Sequence, residues 1–379
     1  MSQFSVPCVV YRGGTSRGLF FNESDLPKES TCREKIFLDG IDAYNLSQVN
    51  GLGSGTSHTS KVVVIGPPSV EGADVDYTFY QIGIGEKVVD AKGTCGNLMA
   101  AVGAYAVDEG FVSSDTVEES MIVYAFNTNI QKMIRLIVPT VDGKAKVSGT
   151  YQMAGLQLPG AKYAVDILSP GGGKLGSTFP LGPKFELSLK EKQIPVSVVD
   201  IVNPFVYLSA ESLGLSESDL FTDLSSDEAL LNQLESIRCE MSVHMGLTNS
   251  IEEAAAAPAI PKIAIVSEPI DYITTSGTAI KKEEVDIVAK MVSMGRFHRT
   301  FAGSGLYNLA AAALLPGTIP NRCTNRELVD DKSIVRIGHP DGIAEVRVGL
   351  TKNQRDVDYV GLDRTARRVM KGELYIPHE

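Results

Sequence analysis

Short runs of apolar and β-branched residues dominate the first half of the chain. Each run is bounded by Gly, Pro, Asn or Asp, which favour turns. β-Branched and aromatic residues fit the pleated surface of a sheet, so these runs are typical of strands. The pattern predicts a mainly antiparallel sheet with strands over residues 61–65, 77–84, 121–126, 133–138 and 144–147.

The second half has the same pattern of short apolar runs, interrupted by two stretches that we interpret as helices. Strands are predicted over residues 196–202, 262–267, 334–337 and 344–348. Helices are predicted over residues 216–241 and 282–294. Both halves therefore mix helices and strands, which favours an α+β fold class.

A segment rich in Gly and Pro lies between the two halves. Residues 168–184 read LSPGGGKLGSTFPLGPK, a composition that argues against a regular element and favours a linker or hinge. We therefore expect two domains, residues 1–185 and 186–356, with the boundary near residue 185.

The same motif, a short polar turn followed by a predicted helix rich in small residues, occurs twice along the chain. Cys95, Gly96 and Asn97 precede the run LMAAVGAYA, and GSG at residues 303–305 precedes LYNLAAAA a little over half the chain later. The repetition predicts two copies of one αβ unit. The first turn of a helix has unpaired N–H groups and a partial positive charge, which attract a carboxylate and favour a thiolate. Alternatively, Cys95 is a small buried apolar residue.

Composition and charge narrow the classes of function. The chain has 379 residues, 43% hydrophobic and 21% charged, with 35 Lys and Arg against 46 Asp and Glu and a net charge of −11. This excess of acidic residues argues against a nucleic acid or an anionic membrane as partner. No apolar run reaches the roughly 20 residues of a membrane span. The N-terminus lacks an export signal, so we expect a cytoplasmic protein.

Cysteine and histidine spacing gives no sign of a metal site. The five cysteines form no CxxC pair, and the five histidines form no HxxxH pair, so free thiols in a reducing compartment are expected. The glycine loop at residues 51–61 lacks the Gly-Lys-[Ser/Thr] of a phosphate-binding loop, and no third glycine follows Gly83 and Gly85 to open a helix. We expect no metal and no organic cofactor.

Motifs in order along the chain carry a resemblance to a known family. They are RGGTSRG at residues 12–18, GLG at 51–53 with TSKV at 59–62, GTCGN at 93–97, TFAGSG at 300–305 and RTARRVM at 364–370. Together they resemble the PrpF family, which includes 2-methylaconitate and aconitate isomerases, with relatives such as 4-oxalomesaconate tautomerase and methylitaconate isomerase.

The resemblance implies a fold similar to diaminopimelate epimerase. Such a fold has two similar domains, each a mainly antiparallel sheet around a central helix, with the active site in the cleft between them. It also implies that the last strand, about residues 357–379, completes the first domain. The epimerases carry a catalytic cysteine in both halves, whereas Ser304 occupies the second position here. A serine hydroxyl is a weak carbon base without help, so a two-thiol racemase is disfavoured.

Lys61 resembles the family's catalytic lysine, and Cys95 is its expected partner in proton transfer. The alternative for Lys61 is a solvated lysine at the start of a strand, and each glycine could serve only as a turn residue. Either Arg17 or Arg299 could add positive charge. The predicted substrate ligands are short side chains, glycine amides and one arginine: Ser16, Arg17, Gly53, Ser54, Thr56, Gly96, Asn97, Gly303, Ser304 and Gly305.

These features predict a cofactor-independent isomerase of an unsaturated di- or tricarboxylate, either 2-methylaconitate or aconitate. The reaction would remove and return a proton through a delocalised dienolate. The alternatives are a 4-oxalomesaconate keto–enol tautomerase and a non-catalytic protein that binds polycarboxylates. The sequence leaves open the physiological acid, which of Cys95 and Lys61 removes the proton, and the oligomeric state, a homo-oligomer included.

Overall fold

The structure is a computed structural model that describes residues 2–113, 118–189, 192–298, 300–325 and 334–378. The chain folds into two compact units. Unit 1 comprises Met1–Leu168 together with Leu362–Glu379, and unit 2 comprises Ser169–Gly361.

The segment rich in Gly and Pro belongs to unit 2, so unit 1 ends at Leu168 instead of near residue 185. Its backbone bonds to unit 2: the Gly172 N–H donates to the Asp200 carbonyl at 2.8 Å. The N–H groups of Lys174 and Leu175 donate to the Asp200 carboxylate at 2.8 and 2.7 Å. These bonds fix a segment whose composition alone suggests a free linker.

Within the residues that the structure describes, unit 1 contains paired strands, two helices and a 3₁₀ turn at Glu23–Asp25. Its helices are α1 (Ser30–Ile41) and α2 (Gly96–Asp108). Its strands are β1 (Gln3–Gly13), β2 (Ser16–Asn22), β3 (Lys61–Gly66), β4 (Val75–Ile82), β5 (Val89–Asp90), β6 (Ser120–Asn127), β7 (Lys132–Val141), β8 (Lys144–Ala145), β9 (Tyr163–Leu168) and, from the C-terminal segment, β21 (Ala366–Pro377).

In its described residues, unit 2 contains paired strands, four helices and 3₁₀ turns at Glu211–Leu213, Glu217–Phe221 and Lys282–Glu284. Its helices are α3 (Glu228–His244), α4 (Ile251–Ala256), α5 (Gly303–Leu314) and α6 (Ile319–Cys323). Its strands are β10 (Phe185–Leu189), β11 (Lys192–Ile201), β12 (Asn203–Ser209), β13 (Lys262–Ser267), β14 (Tyr272–Ile273), β15 (Ala279–Ile280), β16 (Ile287–Ser293), β17 (Arg296–Phe297), β18 (Ile334–His339), β19 (Gly342–Leu350) and β20 (Val357–Arg364), whose end belongs to unit 1.

The two units share one strand topology. In unit 1 the paired strands follow the order β21–β1–β2–β3–β4–β6–β7–β9. In unit 2 they follow the order β10–β11–β12–β13–β16–β18–β19–β20. The third and fifth pairings are parallel in both units, and the others are antiparallel. The expectation of two similar α+β units with mainly antiparallel sheets is therefore confirmed.

Each unit wraps its sheet around one helix made of small residues. In α2 every residue from Leu98 to Val107 is buried, and the helix packs on β1, β6, β7 and β21. In α5 the run Ala310–Ala313 is buried against β11, β12, β18 and β19. Small side chains let these helices lie close to the strands, so the two predicted central helices are confirmed.

The predicted helix over residues 282–294 is wrong. A 3₁₀ turn covers Lys282–Glu284, and β16 follows it. Every described side chain of β16 is buried, with Val288 in the apolar cluster that contains α3. Met291 lies at the start of α5, where its sulfur accepts from the Ala302 N–H at 3.2 Å. A strand buried on both faces lacks the alternation that distinguishes a strand from a buried helix.

Part of the predicted helix over residues 216–241 is also wrong. Glu217–Phe221 forms a 3₁₀ turn, and α3 begins only at Glu228. The Asp227 carboxylate accepts from the Leu230 N–H at 2.9 Å, which satisfies one of the unpaired donors of the first turn. This cap sets the start of the helix inside the predicted range.

Among the described residues, no helix is both long enough and apolar enough to cross a bilayer. The longest, α3, has 17 residues and carries charged side chains along its length.

Gly103 sets how closely α2 approaches β7. A Cβ atom at Gly103 would lie 2.7 Å from Cγ2 of Val138 and 3.1 Å from Cβ of Leu136. We expect Gly103→Ala to destabilise the protein by about 1–3 kcal/mol, although alanine is the better helix former by about 1 kcal/mol. Thermal unfolding followed by circular dichroism checks this. Gly372→Ala, where nothing lies within 4 Å, is the control; equal midpoints for the two variants would contradict the prediction.

Candidate active site

Cys95 is the N-cap residue of α2. Its backbone is extended, with φ −119° and ψ 100°, and its side chain does not cap the helix. The Cys95 carbonyl accepts from the Leu98 and Met99 N–H groups at 3.1 and 3.3 Å. In the described part of the chain, the Gly96 and Asn97 N–H groups have no acceptor. The half-buried sulfur therefore lies at the positive end of a helix with free donors.

Lys61 is the first residue of β3 and is only 8% exposed. Its Nζ donates to Oε1 of Gln81 at 2.6 Å and lies 5.1 Å from the centre of the Phe79 ring. Burial lowers the pKa of Lys61, and the charge of a Cys95 thiolate raises it. The amine and the sulfur are thus close enough to interact electrostatically, as thiolate with ammonium or as thiol with amine.

Ser16 contacts the sulfur, and the side chain of Asn97 contacts Ser16 in turn. The Ser16 Oγ lies 3.8 Å from the Cys95 Sγ, and Nδ2 of Asn97 donates to Oγ1 of Thr15 at 3.0 Å and to Oγ of Ser16 at 3.5 Å. Gly14 has φ +52°, and a Cβ atom there would overlap the Asn97 side chain. The β1–β2 turn therefore rests directly on the first turn of α2.

The loop that leads to Lys61 holds Gly53, Ser54 and Thr56. Arg17 supports this loop, because its Nη2 donates to the Leu52 carbonyl at 3.0 Å. The Gly53 N–H donates to the Ile41 carbonyl at 3.2 Å, which anchors the loop to the end of α1.

Hydroxyl groups tie the same loop together. Ser54 Oγ donates to Oγ1 of Thr59 at 2.8 Å, and Oγ1 of Thr56 lies 3.0 Å from the same atom. Ser60 Oγ donates to the Thr56 carbonyl at 2.8 Å. The exposed hydroxyls of Ser54 and Thr56 are thereby held next to the strand that begins at Lys61.

Gly303, Ser304 and Gly305 form the first turn of α5 in unit 2, after the N-cap residue Ala302. In the described ranges the N–H groups of this turn have no acceptor before Leu306, whose N–H donates to the Ala302 carbonyl. Gly305 also has a packing role, because a Cβ atom there would lie 2.7 Å from the Phe301 ring. Arg299 lies outside the described residues.

Sequence reasoning missed Gln81, Phe79 and Arg364. Lys61 and Gln81 are direct partners in the β3–β4 register, and the alternating row Tyr77, Phe79, Gln81 ends in a polar residue, a signal that was present in the sequence. Arg364 donates from Nε to Oδ1 of Asn97 at 3.1 Å. No local pattern signals a contact between residues so far apart in the chain.

Lys262 is a further residue that the sequence did not single out. It begins β13, which pairs in unit 2 as β3 pairs in unit 1, so it is the topological counterpart of Lys61. Burial lowers the pKa of Lys262 as well. The duplicated topology therefore places a partly buried lysine at the same strand start in both units.

All five cysteines are free thiols. Burial raises the pKa of Cys8 to about 12 and that of Cys323 to about 11, which keeps both protonated. Cys32 is exposed and Cys239 is buried. Among the residues that the structure describes, no three His, Cys, Asp or Glu side chains converge on a position that could hold a metal ion.

Known proteins match the chain over its whole length. The family model described as PrpF protein matches residues 3–377. The 3-methylitaconate isomerase of Eubacterium barkeri is 37% identical over 377 residues, 99% of this chain and 98% of the relative. The 2-methyl-aconitate isomerase of Shewanella oneidensis is 34% identical over 394 residues, again 99% and 98%. A crystal structure of a methylitaconate-delta-isomerase matches with a TM-score of 0.94 at 36% identity, covering 100% of this chain and 97% of that chain.

Gln81 offers a test of the lysine's environment. Gln81→Glu places a carboxylate where the amide oxygen now accepts from Nζ of Lys61, which favours the ammonium and raises the pKa of Lys61. The neutral amine then needs a higher pH, so we expect acetylation of Lys61 by acetic anhydride at pH 8 to slow about 3–10-fold. Peptide mass spectrometry measures the rate, with exposed Lys28 as the internal reference. An unchanged ratio of the two rates would contradict the contact.

Proposed function

The chain belongs to the PrpF family and is an isomerase, and we propose that it isomerises an unsaturated di- or tricarboxylate by moving a proton through a delocalised dienolate. The observation that carries the proposal is the placement of Cys95 at the start of α2 within electrostatic range of buried Lys61, whose pKa a Cys95 thiolate raises. The names of its relatives support an acid of the methylitaconate, 2-methylaconitate or aconitate type.

The chemistry needs one base and one acid. One member of the pair takes a proton from a carbon that is acidified by the conjugated double bond and carboxylate, and the electrons of the C–H bond spread over the conjugated chain. The other member returns a proton, either to a different carbon, which moves the double bond, or to the first carbon after rotation. No electron is gained or lost. After each turnover the base carries an extra proton and the acid lacks one, so a proton must pass from the base to the acid, directly or through solvent, before the next turnover.

The environment of Lys61 supports this assignment. A fully solvated lysine is almost entirely ammonium at neutral pH and a poor base. Burial lowers the pKa of Lys61, while a Cys95 thiolate opposes that shift. The two proton arrangements, thiolate with ammonium and thiol with amine, are thus brought closer in free energy, which suits a pair that must both accept and donate a proton.

The substrate is an anion, and the net charge of the protein is −11. Free N–H groups at Gly96 and Asn97 and the α2 dipole supply a local attraction for a carboxylate, and Arg17 adds a positive charge. Ser16, Ser54 and Thr56 stay proposed ligands through their hydroxyl groups, and Gly53 stays one as a backbone position of the same loop, although its N–H already donates to the Ile41 carbonyl. We also propose Gly303, Ser304 and Gly305 as ligands, because the first turn of α5 offers free donors of the same kind.

Removing either member of the pair tests the chemistry. We expect Cys95→Ala and Lys61→Ala each to lower turnover of cis-aconitate, 2-methylaconitate or methylitaconate about 10²–10⁴-fold. Proton NMR in deuterated water follows both isomerisation and deuterium incorporation. Cys32→Ala and Lys28→Ala, at exposed positions, are the matched controls. Wild-type turnover and deuterium incorporation in both Cys95→Ala and Lys61→Ala would refute the assignment of these two residues to proton transfer.

Alkylation tests whether the acid binds beside the sulfur. We expect trans-aconitate at saturating concentration to slow the reaction of iodoacetamide with Cys95 at least tenfold, because a carboxylate bound at the first turn of α2 shields the sulfur and opposes attack. Exposed Cys32 is the internal reference in the same digest. Equal labelling of Cys95 with and without the acid would count against this binding mode. Protection without turnover of any acid in the panel would favour a non-catalytic binder instead.

A further inference from the structure

A chain of hydrogen bonds runs from the C-terminal segment of unit 1 to the Cys95 sulfur. Arg364 donates from Nε to Oδ1 of Asn97 at 3.1 Å. Asn97 donates from Nδ2 to Oγ1 of Thr15 at 3.0 Å and to Oγ of Ser16 at 3.5 Å. The Ser16 Oγ lies 3.8 Å from the Cys95 Sγ. The contacts connect residues that are separated by most of the length of the sequence.

The chemistry of the guanidinium group determines which atom donates in each of these hydrogen bonds. Arginine has five N–H donors and no acceptor, so the atom of Asn97 that faces Arg364 must be the amide oxygen. The NH₂ group of Asn97 then has to face the Thr15 and Ser16 hydroxyls. Both of its hydrogens are used there, which leaves the backbone N–H of Asn97, and not its amide, for an anion.

The direction continues to the sulfur. While Cys95 is protonated, its Sγ donates to the Ser16 Oγ. A thiolate can only accept, and because the Ser16 oxygen accepts from Asn97, the Ser16 hydrogen is then free to turn toward Sγ. Ser16 is 2% exposed, so water competes little for that hydrogen. A hydrogen bond donated to the charged form stabilises the charged form.

We propose that Arg364 is a positioning residue that orients the Asn97 amide, so that Ser16 donates its hydrogen to the Cys95 thiolate. We call the hydrogen-bonded series Arg364, Asn97, Ser16 and Cys95 the donor chain. Its role in catalysis rests on the proposed function, in which Cys95 exchanges a proton with the substrate. The donor chain itself is a property of the free protein.

The surroundings hold the donor chain in place. Arg12 donates from Nη1 to the carbonyls of Gly14 and Thr365 at 3.0 and 2.9 Å and to the Thr365 hydroxyl at 2.8 Å. The Gly14 N–H donates to the Thr365 carbonyl at 2.9 Å. These hydrogen bonds hold the β1–β2 turn, which carries Ser16, against Thr365, the residue next to Arg364. Gly14 leaves the space that the Asn97 side chain fills.

The pH dependence of Cys95 alkylation in the substrate-free protein tests the proposal. Iodoacetamide reacts with the thiolate, so its rate against pH gives a midpoint for thiolate formation at each cysteine, read by peptide mass spectrometry. We expect Arg364→Gln to move the Cys95 midpoint upward by about one pH unit and to slow labelling near pH 7 about tenfold, with an unchanged plateau at high pH. Arg367→Gln, which removes an equal charge at an exposed position three residues away, should leave the midpoint unchanged.

Ser16→Ala is the second variant, since it removes the last donor while leaving the bond between Arg364 and Asn97 intact. It should move the midpoint upward as Arg364→Gln does, and it carries the test if Arg364→Gln loses its folded circular dichroism spectrum. Wild-type midpoints in the folded variants would overturn the proposal, as would an equal shift in Arg367→Gln. The readout needs no turnover: an upward shift in a protein whose Cys95→Ala variant is fully active would sustain the donor chain and refute the proposed function.

Discussion

The candidate site depends on one interaction, between a lysine held out of water and a sulfur at a helix start whose N–H groups are free. Burial favours the neutral amine, and the neighbouring sulfur favours the ammonium. The balance depends on distance, and Gly18 helps to set it. A Cβ atom at Gly18 would lie 2.9 Å from the Lys61 carbonyl oxygen and 3.1 Å from a Leu98 methyl group. Any side chain there would push β3 away from α2 and weaken the interaction.

The fold was largely predictable where the sequence presents a clear local signal. Runs such as residues 61–65 and 262–267 combine β-branched residues with flanking turns, and the small residues after Cys95 mark a helix that must lie close to a sheet. The prediction failed over residues 282–294 because β16 is buried on both faces, which removes the period of two. It also misplaced the boundary, because the bonds to Asp200 that fix residues 172–175 involve no sequence pattern.

The sequence predicted only those residues of the candidate site that lie within recognisable motifs. Cys95 and Lys61 stand in recognisable local contexts, and both lie in unit 1, where the charge of a Cys95 thiolate affects the pKa of Lys61. Gln81 and Arg364 act through side chains brought near by strand pairing, from distant points in the sequence. The topological match between β3 and β13 could be recognised only once both sheets were known, so Lys262 was missed although it begins a correctly predicted strand. The duplicated scaffold thus keeps a lysine at both strand starts but a thiol at only one helix start.

Unit 1 is assembled from both ends of the chain, with β1 paired to β21 over eleven register positions and Arg364 reaching Asn97 from the C-terminal segment. Unit 2 is continuous in sequence. During synthesis unit 2 can therefore be complete before β21 has been made, and β1 lacks its partner until residues 366–377 have left the ribosome. Translation that stops before residue 364 would leave β1 as an open sheet edge, prone to pair with other chains, and would leave Asn97 without the hydrogen bond from Arg364.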